Sequence, residues 1–199
     1  IFSGEGDIMA AENERRGNRR PGRAPRREGE ITMLIASATR KMIEFYDGSC
    51  HDISHFLKVW AYARTIGELE GLDSHTQTVL ELAAVVHDIA CPLCREKYGN
   101  TNGKNQEKES PPLVAEFFRE LPVGSEDAAR ISWLVAHHHT YTDVTGLDYQ
   151  ILLEADFLVN AEESGYAKSA VRSFRERVFR TAAGTHLLDS IYKLNEENL

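Results

Sequence analysis

Little in this chain points to a cross-linked or membrane-embedded scaffold. It has 199 residues and only three cysteines, Cys50, Cys91 and Cys94. A count that small and odd excludes a disulfide framework and favours a reducing compartment, so a cytoplasmic location is expected. No run approaches the ~18 consecutive apolar residues that span a bilayer, so no membrane partner is expected. Residues 1–11 lack a basic stretch followed by an apolar one, so no secretion signal is expected. Strand signals are nearly missing, because no alternating Val/Ile/Thr run closes on a two-residue glycine turn. The net charge of −8 argues against a nucleic-acid footprint over the whole protein.

What is present is ordinary for a globular chain. Hydrophobic residues make up 42% and charged residues 27%, enough for a core and too apolar for global disorder. The charge is uneven. Residues 1–30 carry seven arginines against six acids, with five glycines and two prolines. Such a segment buries too little to offset its ordering entropy, so residues 1–32 are expected to be a disordered tail. The arginines at 15–27 also admit a nucleic-acid arm. A third reading makes the tail non-native. Met33 opens the first helical periodicity, and Arg27-Glu28-Gly29-Glu30 can be encoded by purine-rich codons like those of a bacterial ribosome-binding site. Residues 33–199 are then one domain.

Helical periodicity predicts helices near 32–46, 53–71, 75–90, 111–120, 125–138, 147–163, 166–183 and 185–195. Asp73 and Ser74 offer a cap to the third, Pro111 and Pro112 suit a first turn, and Ser125 caps the fifth. Gly71, Gly146, Gly165 and Gly184 are expected at the joins. Between Cys91 and Ser110 a polar loop is expected, forming a mobile lid.

Several polar residues fall on apolar stripes. His55 shares a face with Val59, Tyr62, Ala63 and Ile66, and His87 with Val79, Leu82, Ala83 and Val86. Asp88 adjoins His87, and Asp156 lies between Leu152 and Val159 on the inward face of its helix. A buried carboxylate costs several kcal/mol unless it is paired or metal-bound. No matching buried arginine or lysine is expected on these stripes. One divalent cation held by His55, His87, Asp88 and Asp156 satisfies all four. Imidazoles mixed with carboxylates suit Mn, Fe, Co, Ni, Zn or Mg.

His55, then Glu-Gly-Leu-Asp at 70–73, Leu-Glu-Leu-Ala-Ala-Val-Val-His-Asp-Ile at 80–89 and Glu-Ala-Asp-Phe-Leu-Val at 154–159 form an ordered H…HD…D pattern, with separations of 32 and 68 residues. Over about residues 33–195 the chain resembles the HD superfamily of metal-dependent phosphohydrolases. The run His137-His138-His139-Thr140-Tyr141-Thr142 and the Tyr-Gly…Gly-Lys…Gln-Glu segment at 98–107 closely resemble small HD-domain proteins of gut Firmicutes. Many members carry Gly where this chain has Ala90, and Arg where it has Lys58. The resemblance implies an all-α, compact multi-helix HD-domain bundle with a metal site in its core, ligated by His55, His87, Asp88 and Asp156.

The expected chemistry is hydrolysis of a small phosphorylated metabolite, nucleotides among them. A bound ion activates water and polarises the phosphoryl group, while cations hold the non-bridging oxygens. Lys58, on the face of His55, is expected beside the metal. Lys97 and Lys104 are expected to reach the substrate from the loop. Asp88 is placed to take a proton from the attacking water. His138 faces the core and is expected to help as a proton donor or phosphate ligand. A second ion held by His51, Glu109, His138 and His139 is the alternative to a single-metal form with His138 as helper. Cys91-Pro-Leu-Cys94 is read as incidental. Lys168, Arg172, Arg175, Arg177 and Arg180 are read as a solvated face. The competing functions are a non-hydrolytic metal or nucleotide sensor and a di-iron oxygenase. A homodimer is compatible with the sequence.

Overall fold

The structure is a computed structural model, and it describes residues 28–195. The expectations for the tail at 1–27, the arginine-rich arm included, lie outside the described residues. Nine helices are found among the described residues, and no strand: α1 Glu28–Phe45, α2 Cys50–Leu69, α3 Ser74–Val86, α4 Cys91–Tyr98, α5 Gly103–Phe118, α6 Ser125–Val135, α7 Leu147–Glu163, α8 Lys168–Val178 and α9 Ala182–Tyr192. Helix α1 starts four residues before the predicted 32, so the end of the expected tail is helical.

Helices α2, α3 and α7 pack on one another at the centre. Helices α1 and α6 flank α3, α5 joins α6 to α4, and α8 and α9 close over α7. Helix α7 is buried on every side from Asp148 to Val159, as a helix with apolar residues all round must be. Its polar members each find a partner. Arg130 forks onto Asp148 at 2.9 and 2.7 Å, and Gln150 donates to Glu154 at 2.7 Å. Ser74–Tyr98 is apolar and long enough to cross a bilayer by composition, yet 78% of its apolar window is buried inside the domain. That apolarity serves the core.

Local chemistry explains most boundaries. Asp73 caps α3 by accepting from the backbone N–H of His75 and Thr76 at 3.0 and 3.1 Å, as its position predicts. Ser125 turns out to be the first residue of α6, with Gly124 at the cap position. The polar stretch 91–110 is not a loop. Pro92 starts α4, Gly99 ends it at a left-handed φ of +69°, and the Asn102 side chain accepts from the Lys104 N–H to cap α5. The Gly and Asn that suggested a loop are therefore helix punctuation. Cys91 and Cys94 are buried and anchor α4.

Pro111 and Pro112 lie inside α5 rather than in its first turn. The Glu107 carbonyl that Pro111 deprives of a helical donor receives the Ser110 hydroxyl at 3.5 Å instead. The predicted helix 166–183 is two elements, because Phe179 and Thr181 are extended and the Thr181 hydroxyl caps α9. Gly184 is thus inside α9, not at a join. A Cβ there would meet Glu154 Oε2 at 2.1 Å, so only glycine lets α9 sit on that carboxylate. Arg175 is not simply solvated, since it forks onto Asp189 at 2.6 and 2.7 Å.

Candidate metal centre

Three segments bring the site together. Helix α2 presents His55, the turn after α3 presents His87 and Asp88, and α7 presents Asp156. His55 Nε2 lies 3.2 Å from His87 Nε2. It is also 3.5 Å from Asp88 Oδ2 and 3.4 Å from Asp156 Oδ1. His87 Nε2 lies 3.7 and 3.5 Å from the same two oxygens. Adjacent donors sharing an ion at about 2.0–2.3 Å stand roughly 3–3.7 Å apart, so the spacing fits a first-row cation.

The tautomers strengthen that fit. His55 Nδ1 meets Glu163 Oε2 at 2.8 Å, and His87 Nδ1 meets the Ala84 carbonyl at 2.8 Å. A carbonyl or carboxylate oxygen only accepts, so both Nδ1 atoms carry the hydrogen. The two Nε2 lone pairs then face each other across 3.2 Å, beside two carboxylates. Only a proton or a cation between them removes the repulsion. Orienting a ligand imidazole through its other nitrogen is the usual arrangement at metal sites.

The ionisation states follow the same logic. Burial disfavours charge on His55, but the hydrogen bond with Asp156 and the charge of Asp88 outweigh it and raise its pKa to about 9. Burial alone would push both carboxylates up. The His87, His138 and His55 rings hold Asp88 well below the usual carboxylate range, and the adjacent His55 and His87 rings lower Asp156 in the same way. The site is built for anionic carboxylates around something positive.

A second group adjoins the first. Asp88, His138 and His139 place ligand atoms within 4.8 Å of one another. His138 Nδ1 donates to the Val135 carbonyl at 2.7 Å, which leaves a lone pair on Nε2, 3.4 Å from Asp88 Oδ1. That Nε2 and the Nε2 of His139 are buried without a hydrogen-bond partner. Burial lowers the His138 pKa, and Asp88 more than restores it. Burial and the neighbouring His138 charge depress His139 to about 4. Gly103 permits this crowding, since a Cβ there would meet the His139 ring at 2.7 Å.

Other expected residues stand elsewhere. Lys58 Nζ binds Glu162 at 3.2 Å and Glu163 at 3.3 Å, so it reaches the site only through the carboxylate that holds His55. Lys97 pairs with Glu109 at 2.8 Å, and Tyr98 donates to the same carboxylate at 2.5 Å, so Glu109 is spent outside the second group. Lys104 is exposed at the start of α5. His51 is an exposed rim residue, 3.6 Å from Glu163 Oε2. The 91–110 segment does border the site, but as helices.

Four site residues escaped the sequence reading. Glu163 and Asn160 lie seven and four positions after Asp156, on its helical face, and Asn160 Nδ2 donates to Asp156 Oδ1 at 2.8 Å. That periodicity was a usable signal. Asp52 and Arg95 form a fork at the cavity mouth, and nothing in the sequence marks their pairing.

A family model for the HD domain matches residues 52–182. No curated protein matches the chain. The fold is similar to the crystal structure of a predicted HD superfamily hydrolase from an uncultured Thermotogales bacterium. The TM-score is 0.54 at 23% sequence identity, over 85% of this chain and 87% of that one.

Proposed function

The chain belongs to the HD-domain family, and from that premise we propose that it is a metal-dependent phosphohydrolase of small phosphorylated metabolites, nucleotides among them. The observation that carries this reading is the pair of facing Nε2 lone pairs on His55 and His87, 3.2 Å apart and flanked by Asp88 and Asp156. The hydrolase description of the Thermotogales protein supports it. A divalent ion held by these four residues supplies an ionised water and polarises a phosphoryl oxygen.

The chain's own groups supply the proton path. Asp88 turns Oδ2 to the two imidazoles and Oδ1 to His138, so it accepts a proton from the attacking water and relays it. His138, with Nδ1 already committed, receives it on Nε2 and returns it to the departing alkoxide. Glu163 and Asn160 hold His55 and Asp156 in place. A reducing, cytoplasmic setting suits the three free thiols.

The test is phosphate release from a metabolite panel with Mn, Mg, Co or Ni added. Silence across the panel with metal bound favours the sensor reading. The donor group at Asp88, His138 and His139 makes a two-ion form the alternative, in which His138 Nε2 binds metal instead of carrying the proton. Two ions per chain, one lost in His138→Ala, would establish it. Iron as purified with oxygen uptake would instead favour the oxygenase.

A further inference from the structure

We propose that Arg95 is the phosphate clamp of this site. The groove beyond it takes the alcohol part of the ester and selects phosphomonoesters with a flat, apolar-faced leaving group. This rests on the hydrolase reading above.

Two cavities meet at Arg95. The inner one, about 260 Å³, reaches the ligands His55 and Asp88. The outer one, about 480 Å³, is walled by Phe45, Tyr46 and Pro92. Arg95, Asp52 and His51 line both, so the guanidinium stands at the passage between them. Among the described residues no other lysine or arginine lines either cavity.

Arg95 is held ready. Asp52 takes both Nη groups in a fork, one contact being 3.2 Å, and Ser49 fixes Asp52 by donating its hydroxyl at 2.7 Å. The Asp52 side chain is largely buried, while that of Arg95 is 46% exposed. Asp52 takes two of the five guanidinium N–H groups, which leaves three for an arriving anion. Planar fork geometry matches phosphate oxygens, and a lysine's point charge does not reproduce it.

The outer groove carries the specificity. Phe45 lines it and is 41% exposed, so part of the ring is open to a bound group. It packs edge-on against Tyr46 at 5.6 Å. The Tyr46 hydroxyl donates to the Asp88 carbonyl at 3.0 Å, which ties the groove to the metal-binding turn. With phosphate in the inner cavity and Arg95 on its oxygens, the alcohol lies on the phenyl and proline wall. In the reaction the water oxygen bonds to phosphorus and the bond from phosphorus to the alcohol oxygen breaks. One water proton ends on the alcohol and the other on the released phosphate.

The experiment uses the full chain loaded with Mn. Orthophosphate binding is measured by calorimetry, and hydrolysis is followed with 1-naphthyl phosphate and glycerol 2-phosphate. Arg95→Met should weaken orthophosphate at least about tenfold at unchanged metal content, with Arg95→Lys in between. Phe45→Ala should raise KM for the naphthyl ester and leave that for the glycerol ester unchanged. If Arg95→Met does not fold, Arg95→Lys carries the comparison. Unchanged orthophosphate affinity overturns the clamp even where the wild type hydrolyses esters. Arg95-dependent orthophosphate binding without hydrolysis of any ester upholds the clamp and removes the hydrolase reading. Equal effects of Phe45→Ala on both esters overturn the groove assignment.

Discussion

Tyr149 donates its hydroxyl to the main-chain carbonyl of His137 at 2.9 Å. It also reaches the carbonyl of Thr140, so the buried middle of the domain grips both ends of the turn that carries His138 and His139. Tyr149→Phe removes the one hydrogen that these two carbonyls share, although the His137 carbonyl still accepts from the Thr140 N–H at 2.7 Å. It should cost about 1–3 kcal/mol in chemical denaturation.

The same hydroxyl gives a pH signature. Burial, with Glu107 adding to it, pushes the Tyr149 pKa up to about 12, against roughly 10 in an unfolded chain. The folded state therefore prefers the protonated phenol. Its contribution is complete below pH 10 and is lost between about 10 and 12. Tyr149→Phe should flatten the stability profile in that window. An identical slope in wild type and variant would contradict the assignment.

Removing the metal should be felt by the whole domain. Saturation at about a hundred times Kd adds roughly 2.7 kcal/mol, so chelation should lower the melting temperature. Asp88→Ala and His87→Ala should lose metal and activity together. Metal analysis beside the activity assay checks this, and a metal-free Asp88→Ala protein with full activity would sink the mechanism.

Gly184→Ala drives a Cβ to within 2.1 Å of Glu154 Oε2 and 2.7 Å of Thr181 Oγ1. The crowding should cost about 1–3 kcal/mol. Gly29→Ala, with nothing within 4 Å of the new atom, is the control and should be neutral or stabilising. Urea midpoints of the two variants make the comparison.

Thiol chemistry should follow burial. Cys50 is exposed, while Cys91 and Cys94 are buried and pushed up in pKa by that burial. A native chain should yield one fast-reacting thiol and a denatured chain three. Rapid labelling of Cys91 in the native protein would show that α4 opens.

The helices that the sequence reveals best are those whose faces differ most in polarity or whose ends carry a cap. Gly146 and Gly165 bracket α7, and its bounds were legible to the residue. His55, His87, Asp88 and Asp156 were legible because polar side chains on apolar stripes have few bland explanations. Helix α4 was not, being eight residues long with caps that read as loop. Lys58 and Lys97 are paired with acids the sequence does not mark, because a lysine goes to the nearest acid in space. Glu163 and Glu109 become neighbours only once the helices have packed. Arg95 was missed for the same reason, its partner Asp52 lying 43 positions away.

The candidate ligands are far apart along the chain, with Asp156 arriving 68 positions after Asp88 on the helix that the rest of the domain encloses. A nascent chain that has emerged only through α6 already holds two imidazoles and one carboxylate, but has no enclosure in which to set them. Contacts across so long a separation form late in folding, and a site that needs all of them cannot precede the fold. Metal uptake is therefore a readout of completed folding, and products truncated before α7 should emerge from purification without it.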